Sequence, residues 1–153
     1  MSQDALATLL QRTQDDRDLA LAAVRRAQEQ TRRLQLQADQ LLAYRSEYQQ
    51  RWAAQFRRSG TPEIVQCYRS FMERLDDALG QQHKQVEAAA AQSERLRAVL
   101  QAAELRMASV TKLVERRLDE QRRVQARRDQ RQSDEHAAQR LRWRSTTTEP
   151  LGH

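Results

Sequence analysis

Apolar residues recur every 3.5 positions on average in two long runs, and a single cluster of helix breakers separates them. The first run steps by alternating fours and threes through Leu6, Leu10, Thr13, Arg17, Ala20, Val24, Ala27, Thr31, Leu34, Ala38, Leu41, Arg45, Tyr48 and Trp52. The second keeps the alternation through Tyr68, Met72, Leu75, Leu79, Gln82, Val86, Ala89, Ser93, Leu96, Leu100, Ala103, Met107, Val110 and Val114. A 3.5-residue period held over about seven heptads winds helices into a left-handed coiled coil. A helix packed on a globular core drifts toward 3.6 and shows a wider apolar face. The repeat therefore predicts an all-α chain of two long helices.

Composition agrees. Only 3 Gly and 2 Pro occur in 153 residues, aromatics make up 5% and charged residues 31%, and mean hydropathy is -0.96. Such a chain lacks the large apolar residues and turns of a compact globule, and its scarcity of breakers is unlike plain disorder. The breakers that exist sit together as Ser59-Gly60-Thr61-Pro62. Gly60 suits a helix C′ position, Thr61 an N-cap and Pro62 the first helical turn, with Glu63 favourable to the dipole. Ser2 can cap the first helix, with Asp4 in its first turn. The expected layout is helix one over 3–58, a turn at 59–61, helix two over 62–144 and a frayed tail at 145–153 containing Pro150. Residues 1–153 then form one hairpin.

A short turn makes the helices antiparallel neighbours. With the turn centred on Gly60, facing residue numbers should sum to about 120. Trp52 then faces Tyr68, Tyr48 faces Met72, Leu41 faces Leu79, Leu34 faces Val86, Val24 faces Leu96, Leu10 faces Val110 and Leu6 faces Val114. Two seams read separately mesh at every layer, which points to an intramolecular antiparallel coiled-coil hairpin. Polar residues interrupt the seam at Thr13, Arg17, Thr31, Arg45, Gln82 and Ser93, and such residues can fix register at a cost in stability. Gly80, inside helix two, costs about 1 kcal/mol relative to Ala. Modest stability and some bending are expected.

Helix one covers helix two only to about Arg117. Residues 118–144 overhang by ~40 Å at the rise of an α-helix. With few apolar residues (Val124, Leu141, Trp143), such a segment is marginal alone and is either frayed or ordered by a partner. It is also basic. From Lys112 to Arg144 there are 11 Lys/Arg against 6 Asp/Glu, a net of +5 in a chain whose total is +6. Arg116, Arg117, Arg122, Arg123, Arg127, Arg128 and Arg131 form either a surface for an acidic partner or a solvated face.

Most chemistry is excluded. His83, His136 and His153 lie far apart, and the adjacent pairs Asp15-Asp16 and Asp76-Asp77 point to different helix sides. No Gly-rich phosphate loop, HExxH or CxxC occurs. Cys67 stands alone, so neither an internal disulfide nor a cysteine zinc site is expected. A two-helix hairpin also lacks an enclosed pocket for tuning pKa values. No enzyme activity, cofactor, metal or small-molecule substrate is expected. The start of the chain has no secretory pattern and no stretch nears the ~20 apolar residues of a membrane span, so a cytoplasmic, reducing setting is expected.

Two stripes depart from the seam. Gln37, Leu41, Tyr44 and Tyr48 are spaced 4,3,4, and Phe71, Leu75, Ala78 and Gln82 repeat that spacing. Each combines seam positions with the flanking row, so Tyr44 and Phe71 should lie at the groove edge. They form either an exposed docking surface or rings that close over the seam.

The segments QADQLLAYRSEYQQRW (37–52), YRSFMERLDDALGQQ (68–82) and DQRQSDEHAAQR (129–140), in this order and spacing, resemble the FliJ family of the flagellar type III export apparatus. The resemblance spans most of the chain. It implies an antiparallel coiled coil similar to the γ-subunit stalk of rotary ATPases. It implies as partners the hexameric export ATPase FliI, the export-gate protein FlhA and export chaperones, at the inner membrane of the flagellar base. Gln37, Leu41, Tyr44, Tyr48, Phe71, Leu75, Ala78 and Gln82 match the family's gate-binding surface, and the basic overhang with the N-terminus would enter the ATPase ring. Two positions depart from the family pattern. A histidine can stand where this chain has Gln82, with His83 one step later, and His136 replaces a larger apolar residue. Rival readings are the stalk of a virulence secretion system, a basic coiled-coil scaffold and a nucleic-acid-binding module. The last has acidic interruptions and few stacking rings against it.

Overall fold

The computed structural model describes residues 2–147. It is all-α, with helix α1 at Gln3–Arg58 and helix α2 at Pro62–Thr147 packed against each other as a hairpin. The Ser2 hydroxyl accepts from the Ala5 amide at 3.2 Å, satisfying one of the orphan donors at the helix start. At the turn, Thr61 Oγ1 accepts from the Ile64 amide at 3.4 Å and its carbonyl from the Val65 amide at 3.1 Å. Thr61 therefore caps α2, with Pro62 at its first position and Glu63 in its first turn.

The end of α1 departs from expectation. No glycine among the described residues has positive φ, so Gly60 does not form a left-handed cap. The helix instead closes with the Ser59 amide donating to the Gln55 carbonyl at 2.9 Å. The break comes from Pro62, which disfavours helical backbone at the residue before it. At the far end, α2 continues past Arg144 to Thr147. The hydroxyls of Ser145, Thr146 and Thr147 donate to the carbonyls of Arg142 and Trp143 at 2.8–3.1 Å, occupying acceptors that a helix end leaves free. The start of the expected frayed tail is thus helical. Residues 148–153, with Pro150 and His153, lie outside the described residues.

The chain divides into two units, one of residues 12–106 and one joining 1–11 to 107–153. In the first, Val24, Ala38, Met72, Leu75 and Ala103 are buried, with Ser93 and Thr13 among them. In the second, Leu6 and Val110 are buried and Leu10 and Val114 half-buried. No predicted seam position is exposed on either helix. Among the described residues no large side chain is fully enclosed either, because two helices alone leave both edges of their seam to solvent.

Contacts across the seam give the register. In the 12–106 unit, Trp52 packs on Tyr68 with ring centroids 5.7 Å apart. Arg45 Nε meets Asp76 Oδ1 at 2.6 Å, and Gln82 Nε2 donates to the Leu34 carbonyl at 3.0 Å. In the other unit Gln3 Nε2 donates to Gln121 Oε1 at 3.0 Å. Each pair agrees with the turn-centred register to within a helical turn.

Candidate functional site

Helical spacing places Gln37, Leu41, Tyr44 and Tyr48 along one edge of α1, and Phe71, Leu75, Ala78 and Gln82 along the facing edge of α2. The two stripes meet. At one end Gln82 Nε2 donates to Gln37 Oε1 at 3.1 Å. At the other, Phe71 lies against Tyr48 with centroids 4.1 Å apart and meets the edge of Tyr44 at 6.4 Å. Gln37, Tyr44 and Ala78 are exposed, while Leu41, Tyr48, Phe71 and Gln82 are half-buried. Leu75 is buried in the seam and supports the stripe from beneath. The two rings differ: Phe71 closes over the seam on Tyr48, whereas Tyr44 keeps 46% of its surface exposed.

The ring cluster runs further than the stripes. Trp52 contacts Tyr48, Phe56 and Tyr68, and Phe56 meets Tyr68 edge-on at 5.4 Å. Six of the seven aromatic residues (Trp 2, Tyr 3, Phe 2) therefore gather next to the turn, leaving only Trp143 elsewhere. Phe56 was not among the expected site residues. Its position four residues after Trp52, which itself follows Tyr48 by four, was the available signal.

The departure at Gln82 and His83 has a clear geometric outcome. Gln82 reaches the stripe, whereas His83 lines a shallow hollow on the other flank with Ala38, Leu42 and Gly80. One step of about 100° around the helix carries that side chain off the surface.

The basic end belongs to the other unit. Every residue from Glu115 to Thr147 is exposed, including Arg116, Arg117, Arg122, Arg123, Arg127, Arg128 and Arg131. Apart from Arg122, these arginines fall within an arc of ~140° at 100° per residue. Nearby acids do little to neutralise Arg123, Arg127, Arg128 and Arg131. Asp129 and Asp134 accept from Gln125 and Gln130, and Arg122 stands 3.8 Å from Asp119. Among the described residues no ion pair engages Arg123, Arg127, Arg128 or Arg131. Among the described residues there is also no cluster of three potential metal ligands, and no helix long and apolar enough to cross a membrane.

Fold and surfaces together define a two-helix coiled-coil hairpin whose exposed features are a ring-bearing stripe in one unit and a bare basic helix in the other. The sequence profile described as "Flagellar FliJ protein" matches residues 1–146, and the chain belongs to the FliJ family. It is accordingly a component of the flagellar export apparatus, in a family of non-catalytic parts. No curated protein and no solved structure matches the chain.

Proposed function

We propose that the chain acts as a central stalk of the flagellar type III export apparatus. Its basic helix end, with the N-terminus, binds the export ATPase FliI and promotes assembly of its ring. The ring-bearing stripe contacts the export-gate protein FlhA, and the chain escorts export chaperones at the cytoplasmic face of the inner membrane. ATP chemistry belongs to the ATPase, and the stalk contributes orientation and attachment.

The observation that carries this reading is the uncovered basic helix beyond Glu115. Its ordered arginines offer charge to an acidic lining, and attraction of that kind steers association. The test is ATP hydrolysis by the cognate ATPase, with light scattering to follow ring assembly. Full-length chain should stimulate both, and chain truncated before Leu118 should stimulate neither while keeping the helicity of the remaining hairpin. Full stimulation by the truncated chain would overturn the assignment. For the gate, replacing Tyr44 and Phe71 together by Ala should abolish FlhA binding and reduce motility.

A further inference from the structure

On the flank of the 12–106 unit opposite the ring stripe, a shallow hollow has an apolar floor of Ala38, Leu42, Leu79 and Gly80. Gly80 is the anomaly. Its φ is not positive, and a Cβ added there would meet nothing within 4 Å. Neither backbone conformation nor packing within the chain calls for glycine, and glycine weakens a helix interior. Across the hollow at the same height stands Leu42, with 59% of its surface exposed. A protruding leucine and an empty glycine site thus lie side by side on one face.

We propose that this face is a homodimer interface, in which Leu42 of each copy sits over Gly80 of the other. A two-fold axis running along the seam lays α1 of one copy over α2 of its partner at equal height, so the knob of each meets the hole of the other. Such self-complementarity is what an isologous contact requires. The rim charges obey the same operation. Asp39 of one copy comes to Lys84 of the other, and Gln35 comes to Glu87. Among the described residues of one chain, Asp39 accepts only from Gln35, at 3.1 Å, and Lys84 has no ion pair. The patch is small, so the dimer is a reversible, concentration-dependent one.

Sedimentation equilibrium of the full chain over a wide concentration range tests this. Wild type should pass from monomer to dimer. Gly80→Ala should raise the melting temperature of the dilute chain, because alanine favours the helix, yet weaken dimerisation about tenfold by filling the hole. Asp39→Lys and Lys84→Asp should each weaken self-association by a similar factor. Mixing those two variants should restore it, since each then presents the charge that the other lacks. Circular dichroism confirms that all variants remain helical. A monomer at every concentration would overturn the proposal, as would single-charge variants that dimerise like wild type. A mixture that fails to recover would overturn the proposed arrangement.

Discussion

Arg45 occupies a seam position and Asp76 does not, yet the guanidinium leaves the seam to reach the carboxylate at 2.6 Å. Gln82 behaves likewise, spending its amide on the Leu34 carbonyl and Gln37, and Thr31 donates to the Ala27 carbonyl at 2.9 Å. Arg45, Gln82 and Thr31 thus find partners although they interrupt the heptads, and no buried side-chain polar atom among the described residues is left without one. Hydrogen bonding from Arg45 holds the Asp76 carboxyl below its ordinary value. Hydrogen bonding from Arg32 lowers Glu29 from 4.5 to about 2. A depressed carboxylate stabilises the fold above its unfolded pKa and loses that contribution as pH falls through its folded pKa. Stability should therefore decline between pH 4.5 and about 2, modestly because both pairs are solvent-exposed. Thermal melts of Asp76→Asn should show a smaller acid-induced drop than wild type. Side chains at the stripe separate in the same way. Met72→Ala, beneath the rings, should cost about 2 kcal/mol in urea unfolding, at the low end for a core truncation because the seam borders solvent. Tyr44→Ala should leave stability within about 0.5 kcal/mol, so any lost gate binding would report contact rather than unfolding.

At the scale of elements, the caps at Ser2 and Thr61 form as the sequence suggested, whereas the C-terminal ends of both helices do not. Ser59-Gly60-Thr61-Pro62 marked the break, but the left-handed glycine cap does not form. Gly60→Ala should then be tolerated or slightly stabilising, since its Cβ would meet the Phe56 carbonyl at an ordinary 3.5 Å and alanine restricts the unfolded chain. Thr61→Ala should cost about 0.5 kcal/mol, a low value for an N-cap because its bond is long. Equilibrium unfolding of the two variants decides between the roles. The tail shows the converse error. The segment from Ser145 reads as frayed, whereas the hydroxyls of Thr146 and Thr147 bond back to the Trp143 carbonyl and carry α2 onward to Thr147.

For the whole chain, the heptads made the helices and their pairing legible, because seam positions recur at a fixed spacing and the turn sets the offset. Orientation at the edges was less legible. Leu75 and Ala78 share a stripe, but only Ala78 is exposed, since one heptad row is inside the seam and the next beside it. Leu42 stands beside the seam residue Leu41 in the sequence, and Gly80 reads as a weakness in helix two, because periodicity does not show which faces remain open. The family resemblance supplied what periodicity could not, since coiled coils of many functions share the same alternation.

The register also dictates an order of events in time. Trp52 and Tyr68 close a short loop, whereas Gln3 must find Gln121, 118 residues away in the chain. Loop-closure entropy rises with that separation, so pairing should nucleate at the ring-rich turn and zip toward the termini. Tyr48→Ala should slow refolding, while Val110→Ala should chiefly hasten unfolding, as stopped-flow kinetics can show. During synthesis the first helix therefore leaves the ribosome long before its far end has a partner, and its N-terminal heptads wait, apolar and unpaired, until almost the whole covered stretch of α2 has been made.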